Sequence, residues 1–396
     1  MKRHAKFVAV LLAVALVAAV ALSGCSNANK SGVAGGEGTV ETLKIGVHTS
    51  LTGQLADYGF AASEALKIAA KDLGEVKIGD KTYKVELVIK DDKGEEAEAS
   101  VVAQSLADAG VKGVIGGLTS GATNAALPIY QGATIPVISG SATNPDITDK
   151  GGFNNFFRTC LRDDLQGKAI AEWAVELGAK KVVVMDDKGD YAVGLGNAVE
   201  QNLKASNVKV DREAAEAGTS DFSAQVSNIK DFAPDLVIFT GYHRDAGLLR
   251  KQMVEAGLKD TKFMGGDGIK SNEIVGEAGG AANVAGVLCT FGSLSSEQMP
   301  GYAKFAADFK AATSKDAGPY AENNYDALGA LIDAMKAAGS TDGAKVIEAL
   351  HTTQHAGILG TFGFDSKGDI AIKGAEGTGA IPRFELVGSE WKYQSK

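Results

Sequence analysis

The stretch 181–205, KVVVMDDKGDYAVGLGNAVEQNLKA, decides the fold. Residues 181–185 are apolar at nearly every position, the mark of a strand covered on both faces. Residues 186–194 carry Asp, Lys and Gly, the composition of a loop, and set Tyr191 within it. From Leu195 the apolar residues return at helical spacing, so a helix is predicted over 195–205. The unit then recurs, with strands expected at 208–210 and 235–240 and helices at 223–231 and 246–256. Upstream the alternation starts with a strand at 43–47 and a helix from Tyr58. Strands at 83–90, 111–116 and 135–139 alternate there with helices at 95–109 and 122–130, and a helix over 166–177 leads into residue 181. Strands alternating with helices of ten to fifteen residues predict parallel sheets with helices on both faces. After Val287 the pattern turns helical (302–312, 323–338, 343–350) and closes on strands at 359–364 and 384–387. The fold class is therefore α/β, with two Rossmann-like lobes that share chain.

The N-terminus reads differently. Lys2, Arg3 and Lys6 precede an apolar run from Phe7 to Ala21, which ends in Leu22-Ser23-Gly24-Cys25. A basic start, a short apolar core and small residues make a secretory signal over 1–24. The Cys after Leu-Ser-Gly resembles a lipobox, in which Cys25 carries the lipid and becomes the first mature residue. Residues 25–42 begin with Ser, Gly, Asn and Ala and read as a flexible tether. No later apolar run is long enough to span a bilayer, so anchoring would rest on lipid, on the extracytoplasmic face.

The remaining 350 or so residues are long for one core and suggest two domains. A net charge of −9, with no basic cluster interleaved with aromatics, argues against nucleic-acid binding. Cys160 and Cys289 are the only cysteines besides Cys25, and the five His are scattered, so no metal site can be drawn. Gly194-Leu195-Gly196 lacks the third Gly of a dinucleotide loop, and no Gly-x-Ser-x-Gly occurs. The sequence thus argues against an enzyme, and no cofactor is expected.

Ligands of open α/β sheets bind beyond the carboxyl ends of the strands, near helix N-termini. Thr119 and Ser120 follow the strand that ends at Gly116 and open a helix, a place suited to a carboxylate. The same residues are what a helix N-cap alone requires. Ser141 and Thr143 follow the strand ending at Ser139, and Tyr242 follows Thr240. Asp267 sits among Gly265, Gly266 and Gly268, placed to meet a cation or simply to make a turn.

Taken together, these residues resemble the periplasmic binding proteins for branched-chain amino acids, the leucine/isoleucine/valine type. The likeness runs over most of the chain. It includes Ser50-Leu51-Thr52-Gly53, Tyr58-Gly59, Ala142-Thr143-Asn144-Pro145 and Phe157-Arg158-Thr159. It continues through Asp187-Lys188 with Tyr191, Gly241-Tyr242, Asp267-Gly268 and Gly318-Pro319-Tyr320.

The resemblance implies two type I lobes joined by three hinge strands: lobe 1 from 43–159 and 290–361, lobe 2 from 160–289 and 362–396. It implies that Ser120, Ser141 and Thr143 hold a ligand carboxylate, that Asp267 and Tyr242 take its ammonium, and that Tyr58, Thr119, Tyr191 and Tyr320 surround the side chain. It also implies delivery of an amino acid to an ABC permease and its ATPases. Where the family often has Glu, this chain has the shorter Asp267, so the ammonium must sit differently or use a water. His243, Arg244, Glu322 and Asn324 argue against a purely aliphatic pocket. An amide, urea or aromatic-acid ligand, or a ligand-sensing receptor domain, remain the rival expectations. Cys160 and Cys289 are expected near the hinge, as a disulfide or as neighbouring free thiols.

Overall fold

The computed structural model describes residues 39–372 and 381–395. The signal segment 1–24, Cys25 and most of the tether lie outside the described residues. The expected tether ends early, because Val40–Thr42 already pair as strand with residues 82–84.

The first sheet contains β1 (Val40–Thr49), β2 (Glu75–Ile78), β3 (Lys81–Asp91), β4 (Val114–Gly116), β5 (Val137–Ser139) and β6 (Phe156–Arg158), in the order β2-β3-β1-β4-β5-β6. All its pairings are parallel except that of β2 with β3. Leu43, Ile45 and Val47 lie on one face in a core with α1 (Ala56–Leu73), while Val114 and Val137 pack on the other with α2 (Glu96–Asp108). Helix α3 (Ser120–Gly132) follows β4, and the short α4 (Asp146–Asp149) follows β5.

The chain then crosses to a second sheet through α5 (Asp163–Glu176). That sheet begins with β7 (Lys181–Asp186), α6 (Asp190–Ala205), β8 (Lys209–Ala214), α7 (Ser223–Phe232), β9 (Leu236–Phe239) and α8 (His243–Glu255). It continues with β10 (Lys262–Gly265), the short α9 (Ile274–Glu277) and α10 (Ala281–Val284), and β11 (Leu288–Thr290). From β11 the chain returns to the first lobe for α11 (Tyr302–Thr313), α12 (Ala321–Ala338) and α13 (Gly343–Leu350). A small antiparallel sheet follows, of β12 (His355–Gly357), β13 (Gly360–Phe364) and β14 (Ile370–Ile372). A third crossing takes the chain back to the second sheet as β15 (Arg383–Val387), antiparallel to β11, and β16 (Glu390–Gln394), antiparallel to β15. The second sheet reads β16-β15-β11-β10-β9-β7-β8. This is a mixed α/β fold of two parallel-cored sheets.

Three expectations change in detail. Helix α6 begins at Asp190, not Leu195, so Tyr191 and Gly194 lie in its first turns rather than in the loop before it. Asp190 in that first turn suits the positive end of the helix dipole, which explains the earlier start. The segment 362–396, expected wholly in the second lobe, divides. Phe362 and Phe364 pack in the apolar core of the first lobe, and only β15 and β16 join the second sheet. Cys160 and Cys289 are both free and buried, in different apolar clusters, so the disulfide alternative falls.

The crossings are fastened by a buried guanidinium. Arg158 Nε donates to Asp369 Oδ1 at 2.7 Å, and its Nη1 donates to the carbonyls of Ala142 and Asn144 at 2.8 and 2.9 Å. Arg162 Nη1 meets the other Asp369 oxygen at 2.7 Å. One carboxylate thus ties β6, the loop after β5 and the turn before β14 together. Removing one partner of a buried ion pair strands the other charge, which typically costs about 3–5 kcal/mol. Asp369→Ala should lower the unfolding free energy by about that amount in a urea titration. A loss below about 1 kcal/mol would show that the pair holds nothing.

Candidate functional site

The facing ends of the two sheets bound a small chamber. It is lined by Leu55, Tyr58, Leu118, Thr119, Ser120, Ser141, Tyr191, Tyr242, Asp267, Gly268 and Tyr320. Eight of the nine residues expected at the site therefore meet there. The ninth, Thr143, does not line the chamber. It is fully buried and its hydroxyl donates to Asp163 Oδ2 at 2.9 Å.

The first lobe supplies a polar ledge. Thr119 is the N-cap of α3, its Oγ1 accepting from Ala122 N at 3.1 Å, so the capping and lining readings both hold. Ser120 Oγ accepts from Asn144 N at 3.2 Å, and Ser141 Oγ donates to Leu118 O at 2.7 Å. These bonds sew the loops after β4 and β5 into one surface beside the positive end of the α3 dipole. A carboxylate is the natural guest of such a ledge.

The second lobe supplies a carboxylate. Asp267, 5 % exposed, follows β10 and accepts from Tyr191 Oη at 3.0 Å and from Tyr320 Oη at 2.8 Å. Its backbone carbonyl accepts from Tyr58 Oη at 2.8 Å. Tyr191 belongs to the second lobe, whereas Tyr58 and Tyr320 come from the first, so two bonds between lobes converge on one residue. The backbone is tight here: a Cβ on Gly268 would lie 2.6 Å from Gly241 O and 2.8 Å from the Tyr191 ring. Burial pushes the Asp267 carboxyl up, against the bonds from Tyr320, Gln166 and Tyr191 that favour its charged form. Burial also raises all four chamber phenols, which keeps them as neutral donors.

The rest of the wall is apolar or aromatic. Tyr191 and Tyr242 lie 5.2 Å apart between ring centroids, and Phe291 stacks on Tyr320 at 4.5 Å. Tyr58 stacks on His243 at 6.0 Å. His243, Arg244 and Glu322, expected to make the pocket more polar, line a larger, separate space instead. Asn324 donates to Tyr320 O at 2.8 Å, behind the wall. Leu55, Leu118 and Gly268 were not foreseen, because a lone Leu beside a loop carries no chemical signal.

The chain belongs to the periplasmic binding protein family, which matches residues 42–375. It is 33 % identical, over 83 % of its length and 87 % of the relative's, to a leucine-, isoleucine-, valine-, threonine- and alanine-binding protein of Pseudomonas aeruginosa. Among solved structures it resembles a leucine-binding protein of Thermotoga maritima, with a TM-score of 0.81 and 29 % identity, covering 89 % of this chain and 98 % of that one. It also resembles a branched-chain amino acid transporter substrate-binding protein of Streptococcus pneumoniae solved with isoleucine, with a TM-score of 0.75 and 27 % identity, over 89 % and 100 % of the two chains. These relatives are solute-binding proteins, and the chain is one of them rather than an enzyme. Membership of the family implies an extracytoplasmic location. Among the described residues no helix is long and apolar enough to cross a membrane.

Burial also raises a second acid, near the chamber. Asp187, at the end of β7, is pushed up to about 6 from 3.8 by burial, against the bond from Gly189 N, with Asp245 and Asp186 adding to the rise. A carboxyl raised in the folded state favours folding at low pH and loses that contribution as pH rises through the folded value. Wild-type stability should therefore decline between about pH 4 and pH 6 from this group. Asp187→Asn should flatten that decline and melt higher than wild type at pH 7. Equal melting temperatures at pH 4 and pH 7, alike in both proteins, would refute it.

Proposed function

We propose that the chain captures a free α-amino acid with an apolar or modestly polar side chain, branched-chain or similar, between its two lobes. The observation that carries this reading is the pairing of opposite polar ends across one small chamber. A helix N-terminus with Ser120 and Ser141 faces it from one side, and the Asp267 carboxylate from the other. A zwitterion is the small molecule that needs both. Leu55, Leu118 and the four tyrosines suit a compact, largely apolar side chain better than a sugar or a peptide. Benzoate-like acids would use the ledge but leave Asp267 without a cation. The names of the relatives, which bind leucine, isoleucine and valine, support the same reading.

In this account the carboxylate engages the α3 ledge first. Closure then brings Asp267, Tyr191 and Tyr242 against the ammonium, and the closed form is what an ABC permease and its ATPases recognise for import. Thr143 acts through Asp163 rather than by touching the solute. Cys25 carries a diacylglycerol, whose two acyl chains hold the protein stably on the extracytoplasmic face.

Losing one partner of a buried charged pair typically costs about 2–5 kcal/mol. Asp267→Ala should therefore weaken leucine at least about thirtyfold in calorimetric titration, with the fold retained by circular dichroism. An unchanged dissociation constant would sink the zwitterion reading. Cys25→Ala should move the protein from the membrane to the soluble fraction on cell fractionation. A variant that still sediments with membranes would place the anchor elsewhere.

A further inference from the structure

Behind the chamber wall lies a polar cluster that no contact with solute explains. Asp163 and Gln166, one turn apart at the start of α5, are both fully buried. Asp163 Oδ2 takes the Thr143 hydroxyl, but its Oδ1 has no hydrogen-bond partner, and the Gln166 amide lies against Asp267. Two glycines show how close these groups lie to the tyrosines that hold Asp267. A Cβ on Gly266 would lie 2.7 Å from both Gln166 Oε1 and the Tyr191 hydroxyl. A Cβ on Gly292 would lie 2.4 Å from the Tyr320 hydroxyl, 3.1 Å from Thr143 Cγ2 and 3.4 Å from Gln166 Nε2. Gln166 therefore bridges the surroundings of one buried carboxyl to those of the other.

The charges around the cluster do not neutralise it. Asp163 is borne upon by Arg158, but that guanidinium is already paired with Asp369 at 2.7 Å. Its other charged neighbours are Asp164 and Asp267, both acidic. Asp267 faces Tyr191, Tyr320 and Tyr58, with the thiols Cys160 and Cys289 nearby, all neutral. Among the described residues no cation pairs with either carboxyl, and the buried Lys270 lies over the Phe291 and Phe384 rings instead, so two carboxylates out of water cannot both stay ionised at little cost.

We propose that Asp163 is a positioning residue that sets the charge of Asp267: the two carboxyls hold one proton between them in the solute-free protein, and the arriving ammonium replaces it. The step balances. A proton leaves for solvent as the ammonium enters, and the charge of the cluster stays at one negative. No other bond forms or breaks. Burial, with Asp267 next in importance, raises the Asp163 carboxyl well above the ordinary range, consistent with a proton held at neutral pH. The exchange rests on the amino-acid reading above, whereas the shared proton in the free protein does not.

The test has one arm that needs no solute. Infrared spectroscopy of the dialysed full-length protein at pH 7 should show the carbonyl band of a buried protonated carboxyl. About one carboxyl's share of that band, beyond what the raised Glu322 and Asp187 contribute, should vanish in Asp163→Asn, whose amide still accepts from Thr143, and in Asp267→Asn as a second variant. The other arm uses leucine. Wild type should lose that share on binding and release about one proton, read from calorimetry in buffers of different ionisation enthalpy. Its affinity should rise with pH by up to about tenfold per unit, while Asp163→Asn binds with a flat pH profile. No band in the free wild type, or that share and a proton release surviving in Asp163→Asn, overturns the proposal. A share that both variants abolish, in a protein that binds no amino acid, upholds the shared proton and overturns the ligand reading instead.

Discussion

A carboxylate taken out of water must be met by donors or give up its charge, and Asp267 is met by donors from both lobes. That one requirement organises the cleft. Tyr191 must stand in the first turn of α6, Tyr320 must project from the start of α12, and Tyr58 must cross from α1 to the backbone carbonyl of Asp267. Each tyrosine brings ring area as well as a hydroxyl, so the groups that satisfy Asp267 also build the apolar wall around it. The parallel sheets behind them supply rigid strand ends from which these side chains reach inward.

The interactions that close the lobes combine polar bonds with aromatic contacts such as Tyr58 on His243. Besides the bonds to Asp267, Ser271 Oγ donates to Asp57 Oδ2 at 2.5 Å. Asn124 and Asn144 each donate to Asp190, both at 2.7 Å. None of these buries a large apolar surface between lobes. By contrast, each lobe has its own extensive apolar core, and the Arg158–Asp369 pair locks the crossing region itself. Stability sits inside the lobes and mobility is left between them.

Much of this was legible in the sequence because it is written in periodicity. Apolar runs such as 181–185 and 235–240 announce buried parallel strands, and the residues that follow them fall at the cleft by topology. Tyr191 stood out because an aromatic ring is costly in a glycine-rich loop, whereas Asp267 suited a plain turn equally and took its role from the family resemblance. Other features left no local trace. The early start of α6 depends on Asp190 and its dipole, not on apolar spacing. The division of 362–396 depends on where Phe362 and Phe364 find a core, a tertiary matter. Asp163 and Gln166 look like an ordinary polar first turn, and only packing shows that they are buried. Thr143 was read as facing the solute because its hydroxyl follows a strand, yet Asp163 claims that hydroxyl.

The central claim is that one small chamber holds both charged ends of an amino acid, with Asp267 against the ammonium. Native mass spectrometry of the protein purified without denaturation, followed by identification of the released solute, tests it most directly. The account predicts a bound free amino acid with a compact side chain, such as leucine, isoleucine or valine, lost when Asp267 is changed to Ala. A released benzoate-like acid, amide or urea would contradict it.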